Sequence, residues 1–278
     1  MIGVIGQDSL IGRELTSVSK LNGQNVLGTS RRPGSKWIID FCQPSANWNI
    51  PQDLDLAIIC ASRTKIAECE SFPSQTGLVN VSSTLKLIDL LGERGVRIVF
   101  LSSSLVFSPR VDRPSESTAP EPVTEYGRQK LAVEEHLLRH HPSAKVIRLA
   151  KIVSPALPLF SSWRQALADG TSVQAYSDLF LSAVSLRAAA AAILRIAHGS
   201  VPGIFHISAS DALSYFDVAR FLASLEDADP SLVQPCSSPQ PNTPGSTILS
   251  CARTMETTSF RPSTSLENLR SAFTGLIS

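Results

Sequence analysis

An α/β fold, with a doubly wound parallel sheet and a smaller C-terminal lobe, is the class that this sequence predicts, and three observations carry it. Short apolar runs at residues 1–5, 54–61 and 97–101 are each followed by a segment of helical period, the alternation of a layered α/β domain. The run LDLAIICA at 54–61 is the kind expected of a parallel strand covered on both faces. The first run breaks at Gly6, and LIGREL follows at helical period. That strand, glycine turn and helix is the arrangement in which backbone N–H groups meet a pyrophosphate. Together these predict a Rossmann-type domain over residues 1–153. Residues 154–278 then form mainly a substrate-binding lobe, with a stretch at about 176–206 returning to the first domain.

Composition narrows the function classes. Lys+Arg is 25 and Asp+Glu is 24, a formal net charge of +1, which gives no electrostatic footprint for nucleic acid or an anionic membrane. Five cysteines (Cys42, Cys60, Cys69, Cys236, Cys251) are scattered without paired spacing, against a disulfide scaffold or zinc finger and for a reducing compartment. The chain opens on an apolar strand without a signal-like segment, and the apolar run at 188–194 lies between Arg187 and Arg195, too short to span a bilayer. The expectation is a soluble, cytoplasmic protein. No acidic cluster suggests a metal site, so none is expected.

In chain order, the glycine turn reads Gly6-Gln7-Asp8-Ser9-Leu10-Ile11-Gly12, with serine where the middle glycine of a dinucleotide turn stands. Gly6, Ser9, Leu10 and Ile11 are its cofactor-binding candidates, although an ordinary tight turn has the same shape. The next strand, residues 24–29, ends in Ser30-Arg31-Arg32-Pro33-Gly34. An acid at this point holds a ribose 2′-hydroxyl, and arginine accommodates a 2′-phosphate. Two arginines and no acid favour NADP(H) over NAD(H). Residues 37–41 predict a further strand, with Asp40 and Phe41 beside the adenine. The strand at 54–61 stops at Ala61-Ser62, where small residues let a cofactor approach the backbone. Residues 79–92 predict a crossover helix ending on glycine. Residues 97–101 run into Ser102-Ser103-Ser104, at the strand end where open α/β sheets bind ligands. Beyond the Tyr126 helix, 145–152 predicts a strand, 162–167 and 185–196 helices, 203–208 a late strand, and 214–225 a serine-capped helix. A long loop at 235–245 and a terminal helix at 265–273 complete the chain.

Tyr126 and Lys130 open a helix entered from Pro120 and Pro122, which cannot sit inside one. Four residues apart, they share a face. An ammonium beside a phenol favours the phenolate and is expected to lower a pKa of about 10. A phenol so tuned exchanges protons with a carbonyl or alcohol oxygen. Taken alone, the same spacing is ordinary on a helix surface.

The glycine turn, the serines after a mid-chain strand and Tyr126-x-x-x-Lys130 come in an order that resembles the extended short-chain dehydrogenase/reductase superfamily. Ala61-Ser62-Arg63-Thr64, Asn80-Val81 and Gly203-Ile204-Phe205-His206-Ile207-Ser208 make it similar to the nucleotide-sugar branch around dTDP-4-dehydrorhamnose reductase. The resemblance implies Ser103 as the serine that holds a substrate carbonyl and Tyr126 as general acid. It implies Lys130 on the nicotinamide ribose, with Tyr126 and Lys130 also in the cofactor site and Asn80 in support. Thr64, Ser104 and Trp163 are substrate-facing candidates. The implied activity is NADP-dependent reduction of a keto group on a nucleotide-linked sugar, by a possible homodimer. Ser9 and the apolar stretch 177–184 depart from the pattern. They leave two alternatives open, an epimerase using bound NAD(P) and a cofactor-binding regulatory subunit without turnover.

Overall fold

The computed structural model describes residues 1–32, 34–43, 45 and 48–275; Pro33, in the predicted basic loop, lies outside the described residues. The first half alternates as β1 (Ile2–Ile5), α1 (Leu10–Leu21), β2 (Val26–Gly28) and β3 (Leu56–Ile59). Two short helices follow, α2 (Ile66–Ser71) and α3 (Pro73–Gly77), then a π-helical turn (Leu78–Ser83) leading into α4 (Thr84–Glu93). β4 (Arg97–Ser103) runs into a 3₁₀ turn (Ser104–Val106), and a loop leads to α5 (Glu125–His140) and β5 (Lys145–Leu149). Next come β6 (Lys151–Val153), α6 (Pro158–Ala168), β7 (Val173–Tyr176), β8 (Phe180–Leu181), β9 (Ala183–Ser185), α7 (Leu186–His198) and β10 (Gly203–Ile207). The chain ends with β11 (Leu213–Ser214), α8 (Tyr215–Leu225), β12 (Val233–Cys236), α9 (Pro244–Thr247), α10 (Ala252–Thr257) and α11 (Ser265–Thr274).

Six strands form one sheet in the order β10-β5-β4-β3-β1-β2, every pairing parallel. Because side chains alternate across a strand, neighbouring residues serve opposite layers. Val4, Leu56, Ile58, Val99, Leu101 and Ile147 pack with Leu15 of α1 and Ala189 and Ile193 of α7. Ile5, Ala57, Ile59, Ile98, Phe100 and Val146 pack with Leu87 and Leu91 of α4 and Val133 and Leu137 of α5. With both faces buried, the strands need apolar residues at every position, which is why they read as runs. A third core, with Phe160, Trp163, Val173, Val218, Leu222 and Leu269, belongs to the C-terminal lobe. Its short strands pair as β7 with β12, β8 with β11 and β6 with β9.

Three local predictions are corrected. Residues 37–41 form no strand. Trp37, Ile39 and Phe41 instead turn inward beneath α4. Side chains serve the backbone there: Ser83 Oγ donates to the Phe41 carbonyl at 2.6 Å and Trp48 Nε1 to that of Asp40 at 3.1 Å. The run 145–152 is two strands, because Ala150 donates to Ile207 O at 2.9 Å and β6 then leaves the sheet to pair with β9. The helix expected from residue 79 begins at Pro73 and passes through the π-helical turn before α4.

Candidate active site

The glycine turn closes as tightly as the sequence suggests. Gly6 has φ +88°, and a Cβ there would stand 2.8 Å from the backbone nitrogen of Ala61, so only glycine fits. Ser9, in place of a glycine, caps α1. Its hydroxyl accepts from Gly12 N–H at 3.1 Å and donates to Gly6 O at 2.8 Å. The Leu10 and Ile11 N–H groups belong to the same first turn, which lacks intrahelical partners, and the positive end of the helix dipole lies there.

A cavity of about 320 Å³ opens beside this turn. Of the cofactor candidates it is lined by Gly6, Ser9, Ser30, Arg31, Asp40, Phe41, Ala61 and Ser62. Leu10, Ile11 and Arg32 are not part of its wall, nor are Ser103, Ser104, Thr64, Trp163, Tyr126 and Lys130. Thr64 is exposed. Trp163 is 9% exposed and packs on Phe160 and Tyr215 in the lobe core.

Sequence reasoning missed Asp8. Its carboxylate lines the cavity, accepts from Ser30 Oγ at 2.5 Å and pairs with Arg32 Nε at 3.5 Å. An acid inside a dinucleotide turn has no place in the glycine pattern, so only its contact with the β2 end reveals it.

Tyr126 sits on the first turn of α5, whose N-cap Thr124 accepts from Gly127 N–H at 3.1 Å. Gly127 has no room for a side chain: a Cβ would collide with the Leu105 carbonyl and lie 2.9 Å from Pro122 Cβ. That close approach seats α5 on the 3₁₀ turn that Ser103 caps, with Ser103 Oγ accepting from Leu105 N–H at 3.2 Å. Lys130 Nζ donates to Leu101 O at 2.9 Å and lies 5.7 Å from the Tyr126 ring centroid. Lys130 is thus tied to β4, and the Gly127 contact sets the turn that bears Tyr126 against the turn that Ser103 caps.

The electrostatics differ from expectation. Burial raises the Tyr126 pKa well above its usual value, a hydrogen bond with Ser62 opposes the shift, and Lys130 is not among its causes. Tyr126 is thus a neutral phenol. Burial lowers Lys130 to about 8, with Cys60 and Glu134 pulling the other way. Burial also pushes the Cys60 thiol up to about 12.

Ser62 links the two parts. It lines the cavity, opposes the rise in the Tyr126 pKa and donates to Asn80 Oδ1 at 2.9 Å. Asn80, buried in the π-helical turn, also accepts from Arg63 N–H at 2.7 Å and donates to Gln129 Oε1 at 2.7 Å. It ties the end of β3 to α5. One turn further along the same face of α5, Glu134 accepts from Ser102 Oγ and from Arg148.

A glycine turn that admits no Cβ, a helix N-terminus, Arg31 on the cavity wall and a neighbouring Tyr–Lys pair fit a nicotinamide dinucleotide. This fold and site define the class: an extended short-chain dehydrogenase/reductase. The chain belongs to the RmlD substrate binding domain family, which matches residues 1–276.

Individual proteins agree with that placement. The chain is 28% identical to a dTDP-4-dehydrorhamnose reductase of Mycolicibacterium smegmatis, over 92% of this chain and 79% of that one. It is 24% identical to the methionine adenosyltransferase 2 subunit beta of Xenopus laevis, over 84% and 74%. Among solved structures, the dTDP-4-dehydrorhamnose reductase of Bacillus anthracis in complex with NADP superposes with a TM-score of 0.86 at 18% identity, covering 99% of this chain and 98% of that chain.

Proposed function

We propose that this protein uses NADPH to reduce a keto group on a nucleotide-linked sugar, with Tyr126 as the general acid. The observation that carries this reading is the position of Tyr126: buried, on the same helix face as Lys130 with its ring centroid 5.7 Å from the ammonium, and next to Gly127, which packs on the turn that follows Ser103. The similarity to named dTDP-4-dehydrorhamnose reductases supports the substrate class.

Gly6, Ser9 and the first turn of α1 would hold the pyrophosphate, Ser30, Arg31 and Arg32 the 2′-phosphate, and Asp40 and Phe41 the adenine side. The bound nicotinamide supplies the hydride. Ser103 Oγ orients the carbonyl, and the Tyr126 hydroxyl donates its proton to the carbonyl oxygen, for which a phenol kept neutral by burial is suited. Lys130 places a positive charge behind the ribose and stabilises the phenolate left on Tyr126. Ser104 and Thr64 stand at the outer edge for the sugar nucleotide. Residues 1–153 carry the cofactor, and 154–278 supply most of the substrate lobe, with 176–206 reaching back to the sheet.

We place the enzyme in the cytoplasm as a homodimer. Among the described residues no helix is long and apolar enough to cross a membrane.

A second reading is a regulatory subunit that binds the cofactor without turning over, favoured by the similarity to a subunit named for another enzyme's assembly. Turnover of NADPH against a panel of 4-keto nucleotide sugars separates the two. Oxidation that depends on the sugar supports the reductase, and tight NADPH binding with no oxidation on any sugar supports the subunit.

A further inference from the structure

On the outer layer of helices, away from the cavity, Asp89 of α4 faces two histidines of the α5 terminus. His136 Nε2 lies 2.7 Å and His141 Nε2 3.2 Å from the same oxygen, Asp89 Oδ1, and the three ligand atoms all fall within 4.8 Å of one another. We propose that Asp89, His136 and His141 form a binding site for a zinc-class divalent ion that clasps α4 to α5.

Three features argue that the place is built. His141 is the C-cap of α5, with φ −131° and ψ 71°. That departure from helical geometry brings its ring back to 6.0 Å from the ring of His136, five residues earlier. Gly92, one turn along α4 from Asp89, makes the space: a Cβ there would collide with the His141 imidazole. Finally, the imidazoles are only 23% and 18% exposed while Asp89 is 44% exposed. The rings are held by packing, and the carboxylate side is open for an ion to enter.

The donor set selects the ion. Two imidazoles and one carboxylate suit zinc and its borderline neighbours, whereas magnesium and calcium take oxygen ligands. With metal–ligand bonds of about 2.0–2.2 Å, a tetrahedral site has edges of roughly 3.3 Å. The His141–Asp89 separation of 3.2 Å is close to that, and the His136–Asp89 separation of 2.7 Å lengthens as the bound ion replaces the ring protons that now face Asp89. Three protein ligands leave a position for water or for His140, whose ring centroid is 4.6 Å from that of His136. Lys130 lies six residues before His136, roughly 9 Å along the helix, so the clasp steadies the helix that carries Tyr126 without touching it.

The test is a Zn²⁺ titration of metal-stripped protein against a chromophoric chelator, with Co²⁺ absorption as a spectroscopic check. The wild type is expected to bind one equivalent, give a low-symmetry Co²⁺ spectrum and gain Tm with Zn²⁺. His136→Gln/His141→Gln loses roughly 10–100-fold or more in affinity, a range that outer-shell changes alone produce. Gly92→Ala weakens binding with all three ligands kept, because His141 is displaced, and Asp89→Asn does so with both rings kept. Far-UV circular dichroism confirms folding of each variant. Equal Zn²⁺ affinity in wild type and His136→Gln/His141→Gln, or no one-equivalent site in the wild type, overturns the proposal.

Discussion

Glu134 and Arg148 form a bidentate ion pair inside the molecule, with Arg148 Nη2 2.7 Å and Nε 3.1 Å from Glu134 Oε2 and side chains only 1% and 2% exposed. Glu134 lies one turn beyond Lys130 on α5, and Arg148 is on β5 beside β4. Glu134 also accepts from Ser102, the neighbour of Ser103. One carboxylate therefore fixes the helix that bears the acid relative to the strand that bears the serine. Removing one partner of a buried pair leaves the other charge unmatched and costs about 3–5 kcal/mol. Glu134→Leu is expected to lower stability by that order in urea unfolding, more than Glu134→Gln, which keeps an acceptor for Arg148.

The Gly127 contact makes a sharper prediction about geometry. Gly127→Ala forces α5 away from the Leu105 carbonyl, and overpacking of this kind costs about 1–3 kcal/mol. Tyr126 is the adjacent residue, and a displacement of about 1 Å can cost about 10²-fold in rate. The variant is expected to keep most of its cofactor affinity while kcat falls, a split read by NADPH titration beside steady-state kinetics.

Lys130 predicts two pH effects. Its charge is present below a pKa of about 8 and lost above it, so kcat is expected to fall as pH rises through about 8. Lys130→Arg keeps its charge and should flatten that limb, at a lower rate. For stability the sign is opposite. An unfolded lysine holds its proton to about 10.4, so between about 8 and 10.4 the unfolded state binds more protons and stability rises with pH. Urea unfolding across that window should show the rise in wild type and lose it in Lys130→Met.

The proposed preference for NADPH rests on Arg31 and Arg32 against Asp8. Charge-assisted hydrogen bonds are worth about 1.5–3 kcal/mol, so Arg31→Ala and Arg32→Ala should each weaken NADPH by roughly 10–100-fold and leave NADH little changed. The Asp8–Arg32 pair is exposed on both sides and contributes little by itself. Asp8→Asn removes an anion from beside the 2′-phosphate and frees Arg32, and it should tighten NADPH. Fluorescence titration with both nucleotides reads each variant.

The parallel strands were legible because burial on both faces leaves a run of apolar residues, as at residues 56–59 and 98–101. The capped helices were legible too, since Ser185 and Ser214 mark their starts in the sequence. Residues 37–41 were misread because alternate apolar residues turned under α4 look like a strand, and only the side-chain bonds to Phe41 O and Asp40 O distinguish them. The packing of Trp163 on Tyr215 was not legible, because an aromatic in a lobe reads the same whether it faces a ligand or another ring. The Tyr126–Lys130 spacing gave the shared face, but the direction of the tyrosine shift depends on burial, which spacing does not carry. The Asp89 site joins residues 47 and 52 apart and left no local pattern.

In the proposed reaction Tyr126 delivers a proton as the carbonyl is reduced. The most direct test of that step is single-turnover oxidation of bound NADPH by a 4-keto nucleotide sugar, in wild type and in Tyr126→Phe, after nucleotide affinity has been measured for both. A positioned general acid contributes about 10²–10⁴-fold, so Tyr126→Phe should bind NADPH as wild type does and oxidise it slower by that factor. Equal rates in the two proteins would contradict the account.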